Sequence, residues 1–176
     1  MTCFIKCMTS LFAFAANCIP LLIQQNVDGL YFFNRSWAEF KVGFNDTRGN
    51  YWLGNDLLHQ LTYRSQYKLR VDLQTRNLSW YYAEYSTFAV SNEASNYRLA
   101  VSMYSGNAGD ALSGHNGMMF TSYDRDNDQW TGNNCVVLTG GGFWYNKCGA
   151  AFVNGAGGGF SWNAIHLQST RIWLTC

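Results

Sequence analysis

The 176-residue chain is poor in charge: Lys, Arg, Asp and Glu together make up 13% of it, and no run of Lys or Arg occurs. With a formal net charge of +1 it lacks the clustered cations that neutralise phosphates, which argues against a nucleic-acid surface. No G-x-S-x-G, HExxH or paired-carboxylate motif is present, so the familiar signatures of hydrolytic enzymes are missing and no enzyme is expected. Proline occurs once. There is no internal repeat, low-complexity tract or linker, and the chain reads as one compact unit from about Ile23 to its end. A membrane span is not expected near the start, because Asn17 and Pro20 interrupt the apolar run short of the length a bilayer needs. No heptad or G-X-Y run exists, so an oligomer would have to assemble by other means.

What is abundant is apolar, aromatic and glycine residues: 48% hydrophobic, 17% aromatic and 17 glycines. That is a globular composition, with enough length for one sizeable core. Six cysteines point to an oxidising compartment. Cys135 and Cys148 flank a glycine-rich stretch. A disulfide closing it would contribute about 3 kcal/mol, and zinc ligation is the alternative, without the CxxC or HxxxH spacing that usually accompanies it. Three sequons, at Asn34, Asn45 and Asn77, are compatible with a secreted, N-glycosylated protein. Residues 1–22 carry one early lysine, a short apolar stretch and small residues at Ala15 and Ala16. They fit a signal peptide, an ordinary apolar strand or the remnant of a lost first subdomain.

Local pattern divides the rest. Ser36 and Glu39 form a capping box, with Gly43 placed to end the helix. Asn55 or Asp56 is placed to cap a second helix with Leu57, Leu58 and Leu61 on one face. The period then changes to two: Leu69, Val71 and Leu73 alternate with Lys68, Arg70 and Asp72, an aromatic-rich strand follows, and Tyr97, Leu99, Val101 and Met103 alternate in a third. Short polar connections predict an antiparallel sheet. Roughly the last seventy residues are expected to be loop-rich.

Within them lies "SYDRDNDQWTGNNC", with Asp124, Asp126 and Asp128 at alternate positions. Crowding like charges costs free energy unless something neutralises them. A Ca²⁺ ion or a solvated acidic turn each accounts for the pattern. It is not an EF-hand loop, because Gln129 and Cys135 stand where that loop needs Gly and Glu.

The stretches "VDGLYFFNRSWAEFKVGF", "YWLGNDLLHQLT", "YSGNAGDALSGHNGMMFTSYDRDND" and "GGFWYNKC", in this order, resemble the fibrinogen-related domain, over about Ile23 to Arg171. The resemblance implies an α+β fold: a twisted antiparallel sheet with short helices and a loop-rich, calcium-binding C-terminal part, truncated at the N-terminus. It implies a Ca²⁺ ion held by the side chains of Asp126 and Asp128 and the carbonyls of Trp130 and Gly132, with Asp124 supporting the loop. It implies a Cys135–Cys148 disulfide and a cis peptide at Lys147–Cys148. Family lectins bind acetylated groups beside the ion, which places a ligand near Thr139, Tyr145, Cys148 and Gly149. Here Gly149 replaces a customary His, and Thr139 falls where some members have Tyr. Phe143, Trp144 and Tyr145 read as core, and His59 and His115 as structural histidines. The expected function is a secreted, calcium-binding recognition module for acetylated or other glycans in innate recognition. The alternative is an extracellular protein-interaction, adhesion or signalling module without sugar binding. Cys3, Cys7, Cys18 and Cys176 have no assigned partners, with Cys18–Cys176 one arrangement.

Overall fold

A computed structural model describes residues 19–176. The signal-peptide question and the pairing of Cys3, Cys7 and Cys18 fall on residues outside that range. The first strand, β1 (Leu21–Asn26), begins two residues before the boundary expected at Ile23. Helix α1 (Trp37–Val42) forms where the capping box placed it: Ser36 accepts from the Glu39 N–H, and the Glu39 side chain accepts from the Ser36 N–H. Two short strands, β2 (Phe44–Asn45) and β3 (Tyr51–Trp52), lead into α2 (Asn55–Arg64). Here the cap is Gly54, not Asn55 or Asp56, and Asn55 is the buried first residue of the helix. Leu57 points to solvent. The buried face keeps Leu58, with Leu61 partly buried against the core, and adds Thr62 one turn from Leu58; the Thr62 hydroxyl accepts from the Val90 N–H at 3.0 Å.

The alternating segments build β4 (Tyr67–Thr75), β5 (Trp80–Val90) and β6 (Leu99–Gly106), antiparallel neighbours in the predicted order. Leu69, Val71 and Leu73 are buried. In β6 the alternation fails at Met103. A left-handed backbone there (φ 60°) turns its side chain into solvent and brings Tyr104 against the core, beside Tyr85. Tyr97 is buried but precedes the strand, its hydroxyl donating to Asp56 at 2.6 Å.

The region after Gly106 is largely turns, with one short helix, α3 (Cys135–Thr139), and two two-residue strands, β7 (Ala151–Phe152) and β8 (Ser161–Trp162). It is not loop-rich to its end. The eleven-residue β9 (Ile165–Thr175) lies between β1 and β4, so the sheet order is β2-β3-β1-β9-β4-β5-β6. Its polar centre hid it. Thr170 is fully buried and bonds the Gln24 carboxamide, which also donates to the Val153 carbonyl and Asn154. Buried polar groups persist because each finds a partner. This network ties the N-terminal strand, the C-terminal strand and the late loops together. Phe40, Trp52, Phe120, Phe143 and Trp144 form a chain of aromatic contacts beneath those loops.

Candidate functional site

Cys135 and Cys148 are joined by a disulfide, so zinc ligation is set aside. The bond connects two segments. One is the acidic loop, whose carboxylates do different work. Asp124 accepts from the Trp37 N–H at 2.8 Å and from the Ser122 hydroxyl at 2.7 Å, fastening the loop to the start of α1. Asp128 accepts from the Trp130 N–H through one oxygen (2.8 Å) and from the Cys135 N–H through the other (2.7 Å). Asp126 accepts from the Asp128 N–H at 3.2 Å. Burial pushes the Asp128 carboxyl above its ordinary range and the Asp126 charge adds to this, while the two N–H donors oppose it.

Among the described residues, no ion pair reaches Asp126 or Asp128. Nor do three His, Cys, Asp or Glu side chains converge to hold a metal. The loop therefore offers two carboxylates, with any remaining donors being main-chain oxygens such as those of Trp130 and Gly132. An all-oxygen set carrying uncompensated negative charge fits a hard cation such as Ca²⁺.

The other segment leads from Cys148 into a cleft of about 400 Å³, walled by Asp110, His115, Asn146, Lys147, Gly149 and Ala150. The Lys147–Cys148 peptide is trans, contrary to expectation. The backbone turns instead through successive left-handed residues, Cys148 (φ 60°) and Gly149 (φ 74°). Gly149 lies against the His115 ring: a Cβ there would stand 2.3 Å from Cε1.

Thr139 and Tyr145, expected to touch a ligand, are 2% and 0% exposed. They bond one another at 2.9 Å, and both hydroxyls reach the Gly141 carbonyl. Their hydroxyls are consumed beneath α3, and as placed neither offers an atom to a ligand. Phe143 and Trp144 are core as expected.

Asp110, Asn146 and Lys147 were not anticipated. Asp110 stands 38 positions before Cys148, and no local pattern announces the meeting. Burial pushes its carboxyl up, but hydrogen bonds from Ser113 and the Tyr85 hydroxyl outweigh this and hold it below its ordinary value.

His59 and His115 take structural roles. His59 Nδ1 bonds the Val90 carbonyl at 2.9 Å, and His166 is exposed on β9. His115 is buried, with Nδ1 facing the Trp144 carbonyl at 2.7 Å and the Ala150 N–H facing Nε2 at 3.4 Å, which selects the tautomer protonated at Nδ1. Burial lowers its pKa below 6.5, the bond to Trp144 partly opposing. Between the folded value and that of the unfolded polypeptide, the unfolded state binds the extra proton. The contribution of neutral His115 is thus complete above about pH 6.5 and is lost as pH falls toward the folded value, by up to about 1.4 kcal/mol per pH unit. Urea unfolding at pH 7.5, 6.5 and 5.5 should show this slope in the native protein and a shallower one in His115→Asn. Equal slopes would contradict the assignment.

Comparison with known proteins follows the same lines. The profile of the C-terminal globular domain of fibrinogen beta and gamma chains matches residues 16–175. The human fibrinogen alpha chain is 47% identical over 150 residues, 77% of this chain and 17% of that one. Human ficolin-3 is 41% identical over 136 residues, 77% of this chain and 45% of that protein. This chain therefore spans less than half the length of either full-length relative. Among solved structures, the fibrinogen-like globe domain of human ANGPTL2 superposes with a TM-score of 0.80 at 33% identity, covering 88% of this chain and 79% of that one. Lamprey fibrin D-dimer, complexed with the peptide Gly-His-Arg-Pro-amide, gives a TM-score of 0.78 at 30% identity, covering 88% and 60%. Among the described residues, no helix is long and apolar enough to cross a membrane.

Proposed function

Since the chain belongs to the fibrinogen C-terminal globular domain family, we propose that it is an extracellular recognition module whose acidic loop holds Ca²⁺ and whose adjoining cleft takes acetylated or other glycans. The observation that carries this reading is the physical link between loop and cleft. Asp128 accepts from the Cys135 N–H, Cys135 is bonded to Cys148, and Cys148 leads directly to Gly149 on the cleft wall. The side chains of Asp126 and Asp128 and the carbonyls of Trp130 and Gly132 would hold the ion, with waters completing its oxygen shell. The ion supplies the positive charge that the loop lacks, and so orders the segment to which the cleft is anchored.

The cleft offers a carboxylate, a carboxamide and an ammonium group beside the imidazole of His115 and the methyl of Ala150. Such a mixture suits the hydroxyls and acylamino groups of a sugar, with the apolar side for an acetyl methyl. A glycan array probed with and without chelator tests this. Binding of N-acetylated glycans that chelation abolishes and Ca²⁺ restores is the expected result, and silence in both conditions would refute it.

A second reading, a protein-interaction, adhesion or signalling module, draws on the burial of Thr139 and Tyr145 and on the peptide held by the lamprey fibrin neighbour. Saturable binding of Gly-His-Arg-Pro-amide together with a silent array would decide for it.

A further inference from the structure

We infer that Asn34 carries an N-linked glycan whose first N-acetylglucosamine seats on the ring of Tyr31, in a second cleft beside α3. This rests on the extracellular reading above, but uses neither the carboxylates of the acidic loop nor the cleft at Gly149.

A cleft of about 370 Å³ is lined by Tyr31, Asn34, Tyr123, Val136, Val137 and Gly140. Its walls are aromatic and aliphatic, and Tyr31, Tyr123 and Val137 are 72%, 52% and 85% exposed. Asn34 is the first residue of a sequon and directly follows a 3₁₀ turn, Tyr31–Phe33, whose Phe32 and Phe33 are buried anchors. The Asn34 N–H reaches back to the Tyr31 carbonyl at 3.4 Å. Residues three apart eclipse one another in such a turn, so Tyr31 and Asn34 share one side, and both line the cleft. The ring is also held in place: an added Cβ on Gly140 would stand 3.0 Å from Tyr31 Cε1. One edge of the ring thus packs on the backbone that ends α3, and its remaining surface is free.

A sugar attached at Asn34 is delivered to that surface without any cost of association. Its axial C–H bonds and acetyl methyl match the electron-rich ring face. The other two sequons lack this arrangement. Val42 and Gly43 precede Asn45 at the third and second positions, and Gln74 and Thr75 precede Asn77.

Transfer itself is conventional. Asn34 Nδ2 displaces the diphosphate of a polyprenyl-diphosphate oligosaccharide at C1. The Nδ2–C1 bond forms as C1–O breaks, and the Nδ2 proton passes to the transferase. In the folded protein the Ser36 hydroxyl is engaged with Glu39, so modification precedes formation of α1.

The test uses the full chain secreted from eukaryotic cells, with its glycans trimmed to single N-acetylglucosamines. Peptide mapping reads occupancy at Asn34. Urea unfolding then compares the native sequence, Asn34→Gln, Tyr31→Ala and the double variant. The sugar is expected to raise the folded-to-unfolded ratio about fivefold when Tyr31 is present and to leave it unchanged in Tyr31→Ala. In the native sequence alone, the acetyl methyl resonance at Asn34 should be shifted upfield by the ring, which needs no variant to fold. An unoccupied Asn34, an equal gain with and without Tyr31, or an unshifted methyl would overturn the inference. Ion uptake and array binding are read separately on the same protein, so failure of the calcium-and-glycan reading remains distinguishable.

Discussion

Asp128→Asn is expected to abolish Ca²⁺ uptake, and with it the response of thermal unfolding to calcium. An ion present at about 100 times its dissociation constant stabilises the state that binds it by about 2.7 kcal/mol, roughly 5–10 °C in the unfolding midpoint of a domain this size. Chelation should remove that increment from the native protein and change nothing in the variant. The metal-free proteins should differ by only about 1 kcal/mol. An amide keeps one oxygen for the Cys135 or Trp130 N–H, loses the other acceptor, and is relieved of repulsion from Asp126. Asp124→Ala offers the contrast. Asp124 serves the Trp37 N–H and Ser122, so calcium uptake should survive while α1 loses part of its anchorage. Titration calorimetry of the three proteins separates these cases. Absence of any heat of ion uptake by the native protein would remove the metal from the account, and leave the acidic loop as a solvated turn.

Where sequence reading succeeded, the information was local. The capping box at Ser36 and Glu39 spans four residues and needs nothing else. The alternation of β4 follows from one buried face, and a disulfide between cysteines thirteen apart is set by the segment between them. Where it failed, the deciding contact was distant. Thr170 sits mid-strand in β9 because Gln24, 146 positions away, bonds it in the core, so hydrophobic periodicity could not reveal a strand with a polar centre. The alternation of β6 holds at Leu99 and Val101 and breaks at Met103, whose own backbone is left-handed. Thr139 and Tyr145 lie next to the expected pocket in sequence, but their hydroxyls satisfy each other and Gly141. Such mutual satisfaction leaves no sequence signal. Asp110 joined the candidate cleft for the same reason: proximity in the fold, not along the sequence.

Trp144→Ala is expected to remove a large part of the fold's stability. The indole is nearly fully buried and contacts Trp52, Phe88, Phe120 and Phe143, joining β3 and β5 to the late loops. Removing it leaves a cavity worth about 3–5 kcal/mol, a large share of the roughly 5–15 kcal/mol typical of a domain. Its N–H also donates to the Tyr97 carbonyl at 2.6 Å, and Tyr97 holds a left-handed backbone (φ 49°) that this bond helps to fix. Trp144→Phe separates the two contributions. It retains most of the ring packing but orphans a buried carbonyl, for about 1–3 kcal/mol. Because the Trp144 carbonyl orients His115, and His115 backs the Gly149 wall, backbone displacement in the alanine variant should also weaken ligand binding in that cleft, whereas the phenylalanine variant should bind normally once folded. Chemical denaturation gives the two stabilities. A loss under about 1 kcal/mol for Trp144→Ala would mean that the aromatic contacts beneath the loops do not hold them, and that the Cys135–Cys148 disulfide and the buried hydrogen bonds carry that part of the fold instead.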